Sequence, residues 1–282
     1  YARLSFISMP AFMLQNVFQS FFVTAEKPHL GLYVVIAAGV TNMVLDFLFV
    51  GILGFGLAGA ALATVCGEFI GGLFPIFYFT RKNSSLLRLG KTHWNGHVLL
   101  QTCINGSSEL MTNLSSSIMN SLYNIQLMKF AGENGVAAYG TMMYINFIFL
   151  AIFFGYSIGS APVISYHYGA GNQDELKNLF RKSLRLIGTW GIMLALLSQL
   201  LAAPLSKLFV GYDAELFAMT EHGFRIYCLA YLINGFNIFG SSFFTALNNG
   251  VISAAISFLR TLVFQIIMIL LLPTLLGING IW

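Results

Sequence analysis

Asn105, Glu109, Asn113, Ser116, Asn120 and Asn124 recur at intervals of three and four residues. On a helix, at about 100° per residue, all six fall within roughly a 100° arc. A carboxylate set among amides and hydroxyls can exchange a proton or hold a small cation, and when charged it attracts organic cations. A shorter row of Asn234, Asn237, Ser241 and Thr245 falls within about 80° by the same arithmetic. Both rows lie in long apolar stretches, where a polar group without a partner is costly. They must face other helices or a wet cavity. Helix-to-helix hydrogen bonding by Asn and Ser is the plainer reading, and the carboxylate favours a cavity.

Three further ionisable groups stand inside apolar runs: Asp46, Glu68 and Arg260. A charge at the bilayer centre costs about 2.5–3.5 kcal/mol on translocon scales, so each needs a reason. Asp46, one turn beyond Asn42, either reaches the cavity as a second cation-coupling acid or caps backbone near the outer surface. Glu68 sits by Thr64 and among Gly67, Gly71 and Gly72, which predicts close helix packing and a structural charge. Arg260, beyond the Asn248–Asn249–Gly250 turn, is also expected to be structural, either paired with an acid or reaching the cytoplasmic interface. No GxxxxGK[ST] phosphate loop and no nucleophile–base constellation occurs, so neither an ATPase engine nor an enzyme is expected. Cys66, Cys103 and Cys228 are scattered through apolar runs, which predicts neither a metal site nor a disulfide.

The elements that carry these residues follow from composition. The 282 residues are 57% hydrophobic and 9% charged, whereas a soluble domain has roughly a quarter charged. A spanning helix needs about 20 mostly apolar residues. Eight such runs are expected, at roughly 4–24, 31–53, 57–80, 97–127, 134–160, 183–205, 222–246 and 251–275. They are about twice the length of barrel strands and do not alternate. The predicted class is therefore an all-α polytopic membrane helical bundle.

Loop charges orient it. Arg81, Lys82, Arg88 and Lys91 fall in one loop, and Lys177, Arg181, Lys182 and Arg185 follow another. Two spans separate them, so both lie on one side, and the positive-inside rule makes that side cytoplasmic. This also accounts for the net charge of +4 without nucleic acid. The charged segment Gln173–Leu179 is expected to lie along the cytoplasmic surface. Arg3, Phe21 and Phe22 match Arg225, Phe243 and Phe244 at an offset of 222, and Gly56–Gly59 matches Gly277–Gly280 at 221. Six spans fit in one offset, and an even number predicts a parallel repeat of two six-helix halves. The chain starts at Tyr1 and ends after a Gly-rich turn, which predicts a piece of a longer protein. The expected organisation is the last three helices of an N-terminal lobe at 1–80, a cytoplasmic linker at 81–96, and the first five helices of a C-terminal lobe at 97–282.

Three segments carry a family resemblance: 42–65, beginning NMVLDFLFVG; 104–124, INGSSELMTNLSSSIMNSLYN; and 162–184, with its YGAGN turn. The chain resembles the multidrug and toxic compound extrusion (MATE) family, nearest a DinF-like or MepA-like branch, over helices four to eleven. The resemblance implies a twelve-helix, two-lobe antiporter without cofactors. It would export amphipathic or cationic small molecules against inward Na⁺ or H⁺ flow, as a monomer among membrane lipid in the bacterial inner membrane. Glu109 matches the family's acid in helix seven. Where some members place a second carboxylate in helix ten, this chain has Asn234 and Asn237. Asn105, Asn113, Asn120 and Asn124 would line the cavity. A lipid-linked saccharide flippase of the same superfamily would want a basic cavity, and the two rows are acidic or neutral. In a non-transporting membrane scaffold, Glu109 would serve only as a hydrogen-bonding group.

Overall fold

A computed structural model describes residues 2–83, 85, 87–90 and 93–282, with side chains from Phe6 onward. Lys91 and the side chain of Arg3, both used above, lie outside the described residues. The helices are α1 (Ala2–Thr24), α2 (Pro28–Asp46), α3 (Gly56–Thr80), α4 (Gly96–Gly169), α5 (Gln173–Val210), α6 (Ala214–Tyr227), α7 (Tyr231–Ala246), α8 (Gly250–Phe258) and α9 (Phe264–Leu276). A π-helical turn, Phe47–Ile52, follows α2, and another, Leu259–Val263, joins α8 to α9. A 3₁₀ turn, Cys228–Ala230, joins α6 to α7. There is no strand among the described residues.

Seven of these segments, with α6–α7 and α8–α9 each counted as one, are long and apolar enough to cross a membrane. At most 33% of any span's most apolar stretch is buried in protein. The remaining apolar surface needs lipid or further protein to cover it. At 1.5 Å per residue the 74 residues of α4 would reach about 110 Å, several times a hydrocarbon core of about 30 Å. Gly132 resolves this. It takes φ 62°, ψ −153°, a conformation open essentially to glycine alone, and the chain folds back there. Tyr123 and Tyr139 stack across the fold with ring centroids 5.2 Å apart. Thus α4 is two spans, and the expected loop shrinks to a one-residue hinge.

The segment Gln173–Leu179, expected to lie along the cytoplasmic surface, is the first two turns of the 38-residue α5. No Gly or Pro interrupts residues 173–187, so a helix once begun propagates. It begins where the side chain of Asn172 accepts from the Glu175 backbone N–H, with Asp174 and Glu175 in the first turn, which suits the dipole there. The side chains of Asn95, Asp213 and Asn249 cap α4, α6 and α8 in the same way.

The chain divides into two units, residues 1–94 and 95–282. In the first, α3 packs on α1 and α2 through glycines. A Cβ on Gly67 would lie 2.9 Å from the Ala38 carbonyl oxygen, and one on Gly72 would collide with the Ala11 backbone. In the second, the core joins the later limb of α4 (Met142, Phe149, Phe153) to Ile187 and Leu194 of α5 and to Tyr231 of α7. Gly191 lets α5 approach the Tyr231 carbonyl.

The internal repeat is visible in the backbone. At 25–27 the N–H groups of Ala25, Glu26 and Lys27 donate to the carbonyls of Phe21, Val23 and Phe22; those of Leu247, Asn248 and Asn249 donate to Phe243, Thr245 and Phe244. Glu26 (φ 57°) and Asn248 (φ 56°) are the non-glycine residues with positive φ among those described. Each turn lets a span reverse directly into the next. Gly56 and Gly277 again take matching positive φ.

Candidate functional site

On the first limb of α4, Leu127 close to the Gly132 turn is buried in line with the row, and the buried positions within Asn105–Asn124 are Ser108, Ser115 and Met119. Their centre lies roughly 110° round the helix from the centre of the Asn105–Asn124 row. The unit therefore covers one face of this limb and leaves most of the predicted row open: Glu109, Asn113, Ser116 and Asn120 are exposed. These groups satisfy themselves locally. Asn113 Nδ2 donates to the Glu109 carbonyl (2.9 Å), Ser116 Oγ to that of Thr112 (2.8 Å) and Asn124 Nδ2 to that of Asn120 (2.8 Å). Back-bonding to a carbonyl one turn earlier leaves the acceptor side of each amide free. Among the described residues the Glu109 carboxylate accepts no hydrogen bond and forms no ion pair.

Asn105, at the edge of the row, turns instead to α7. Its Nδ2 donates to the Thr245 carbonyl (3.2 Å), and its Oδ1 is buried without a partner. This begins a hydroxyl knot that the sequence reading saw only in part. Ser108 Oγ meets Thr245 Oγ1 (3.3 Å), which meets Ser253 Oγ of α8 (2.8 Å). Ser241 Oγ contacts both Ser253 (3.0 Å) and Ser257 (2.8 Å). The α7 row thus divides. Ser241 and Thr245 bind α8 and α4, while Asn234 and Asn237, half-buried, make no hydrogen bond among the described residues. Ser253 and Ser257 show no polar row of their own in the sequence, but their four-residue spacing was the available signal.

Arg260 lies on the π-helical turn after α8, half-buried, with its Nη1 buried and unpartnered. Arg260 and Glu109, which the sequence singled out separately, thus stand in the same unit, without forming an ion pair among the described residues. Asp46 and Glu68 stand in the other unit. Asp46 directly precedes the first π-helical turn, with its Oδ1 buried and unpartnered. Glu68 is half-buried beside Gly67, and Thr64 nearby accepts from Asn42 Nδ2 (3.4 Å). A π-turn leaves backbone groups out of regular pairing and often marks a functional position; here each adjoins an intramembrane charge.

The sequence reading missed one charge pair. It placed residues 206–221 in a loop, but α6 starts at Ala214, so Glu221 lies on the helix and pairs with Arg225 (2.8 Å). Gln199 of α5 closes this cluster, donating to the Arg225 carbonyl (2.8 Å) and Cys228 Sγ (3.1 Å). No group of three or more His, Cys, Asp or Glu able to hold a metal occurs among the described residues.

Fold and polar seam together define a multi-pass helical membrane protein with charged groups inside its spans. The MatE family model matches residues 110–271, more than half of the chain, and the chain belongs to that family. It is similar to the multidrug export protein MepA of Staphylococcus haemolyticus, 26% identical over 64% of this chain and 40% of the relative. MepA of Staphylococcus saprophyticus is 20% identical over 100% of this chain and 60% of the relative. A crystal structure of MATE in complex with MaL6 shares the fold, with a TM-score of 0.92 and 22% identity over 100% of this chain and 64% of that one. The chain thus spans 40% to 60% of the length of these two curated relatives. The family consists of transporters rather than enzymes, and the chain is a multi-pass protein of the cell membrane.

Proposed function

We propose that the protein to which this chain contributes is a cation-coupled efflux antiporter for amphipathic or organic cations, working by alternating access. The observation that carries the reading is the open polar row on α4. Glu109 stands there exposed, with no partner for its carboxylate among the described residues, near Asn113 and Asn124, whose amide oxygens remain free. Na⁺ or H⁺ binding would neutralise Glu109 and favour one conformation, because a ligand shifts an equilibrium only through its differential affinity for the two states. The charged carboxylate would attract the cationic substrate in the other. Asn113, Asn120 and Asn124 would line the path, with Asn105 at its edge and Asn234 and Asn237 contributing from α7. Asp46 would be a second coupling acid in the other unit, and Glu68 a structural charge. The names of the MepA relatives, both multidrug export proteins, support the substrate class.

The test is transport in proteoliposomes with imposed Na⁺ and H⁺ gradients. Glu109→Gln is expected to abolish gradient-driven export of a fluorescent organic cation. Export at the wild-type rate with unchanged ion dependence would remove Glu109 from the mechanism. Absence of gradient-driven flux in the wild type would end the antiporter reading.

A further inference from the structure

Arg260 is an intramembrane charge that neither the hydroxyl knot nor the coupling scheme uses. Its Nη1 is buried without a hydrogen-bond partner, although a guanidinium offers five donors in a rigid fork. Among the described residues no carboxylate lies within 4.0 Å of it, since the ion pair found there is Glu221–Arg225. The acid whose field reaches it is Glu109. The seam between α4 and α8 fixes their relation. Gly250 lies against the backbone of Ile104 and Asn105. One turn along both helices, Ser253 is linked through Thr245 to Ser108. In that register Glu109 is level with residue 254, and Arg260 is six residues, or about 9 Å, further along. A long arginine stem can lean back over that distance. Arg260 also stands on a π-helical turn, where one extra residue per turn can be taken up or released to re-aim a side chain.

We propose that Arg260 is a tethered counter-cation for Glu109, which a cationic ligand must displace from the carboxylate, so that Arg260 sets the affinity and charge selectivity of the site. The inference rests on the reading of Glu109 as the cation-binding acid. When no cation is bound, the guanidinium can swing from its place in the structure, beyond 4.0 Å of any described carboxylate, toward Glu109 and balance its charge. An arriving cation takes over that role and releases Arg260. A neutral amphipathic molecule of equal size has nothing to offer the carboxylate and leaves the pair in place. The open carboxylate of Glu109 and the unused donors of Arg260 are the two halves of this exchange.

The experiment is equilibrium binding of tetraphenylphosphonium, and of a neutral amphipath of similar size, to the intact purified protein. Arg260→Gln removes the competitor. If Arg260 occupies the carboxylate in roughly nine molecules of ten, cation binding tightens about tenfold, and binding of the neutral probe is unchanged. Arg260→Lys keeps the charge but loses the fork, and its affinity falls between wild type and Arg260→Gln. In the Glu109→Gln background the Arg260→Gln gain disappears. Unchanged or weaker cation binding in Arg260→Gln would overturn the proposal, as would a gain that persists without Glu109. If Arg260→Gln does not fold, Arg260→Lys decides: tighter cation binding upholds the proposal and none overturns it. If Glu109→Gln alone binds the cation like wild type, the coupling-acid reading fails. If it loses binding while Arg260→Gln gains nothing, only the present proposal fails.

Discussion

Two glycines of one helical hairpin should respond to the same substitution with opposite signs. Gly240 is in the middle of α7 with nothing within 4 Å of the position its Cβ would take. Gly250 opens α8, buried. A methyl there would stand 2.6 Å from the Ile104 carbonyl oxygen, 2.9 Å from the Asn105 nitrogen, and closer still to Asn105 Cα. All three obstacles are backbone, so no side chain can swing away. The α7–α8 hairpin would have to retreat from α4 by about 1 Å, an overpacking cost on the order of 1–3 kcal/mol. That retreat would stretch the Asn105–Thr245 and Ser108–Thr245 bonds, now 3.2 and 3.3 Å, beyond useful length. Interhelical hydrogen bonds in membranes average about 0.6 kcal/mol each. Gly250→Ala is therefore expected to cost roughly 2–4 kcal/mol. Gly240→Ala should be neutral or stabilise by up to about 1 kcal/mol, because alanine is the better helix former. Unfolding of detergent-solubilised protein by SDS titration measures both. A Gly250→Ala protein as resistant as wild type, or a Gly240→Ala protein that loses as much as Gly250→Ala, would refute the reasoning.

Ser253→Ala should destabilise by about 1–2 kcal/mol, more than Ser257→Ala, because Ser253 meets Ser241, Thr245 and the Ser241 carbonyl whereas Ser257, among the described residues, meets only Ser241; the same SDS titration ranks them, and equal losses would contradict the knot. Gly132→Ala should cost about 1–3 kcal/mol because its backbone conformation is essentially glycine-only; thermal melting checks this, with an unchanged melting temperature as the adverse result. A membrane-permeant maleimide should label exposed Cys103 well before buried Cys228, read by mass spectrometry over time; the reverse order would contradict the packing of α4 and α6.

The number of spans was legible because hydropathy is additive along the chain and each run is about the length a bilayer demands. The repeated hairpin was legible at Phe21–Phe22 and Phe243–Phe244, which precede turns that reverse by the same hydrogen bonds. Boundaries were less so. Loop 128–133 and loop 206–221 were each drawn too long, because charged residues on a helix end resemble a loop in composition. Glu221–Arg225 went unseen for that reason.

The sequence by itself determined that the chain crosses a membrane several times, that Glu109 stands in a polar row, and that Gly67, Gly71 and Gly72 mark a close contact. These depend on periodicity and on solvent, both local properties of the chain. Tertiary structure decided which face of α4 the unit covers. Asn105 turned to Thr245, Ser108 joined the knot, and Glu109 was left open. A polar row states only that lipid is excluded from one face of a helix. What occupies that face depends on the rotation and register of neighbouring helices, which tight backbone contacts such as Gly250 on Asn105 fix and which no spacing along one helix encodes.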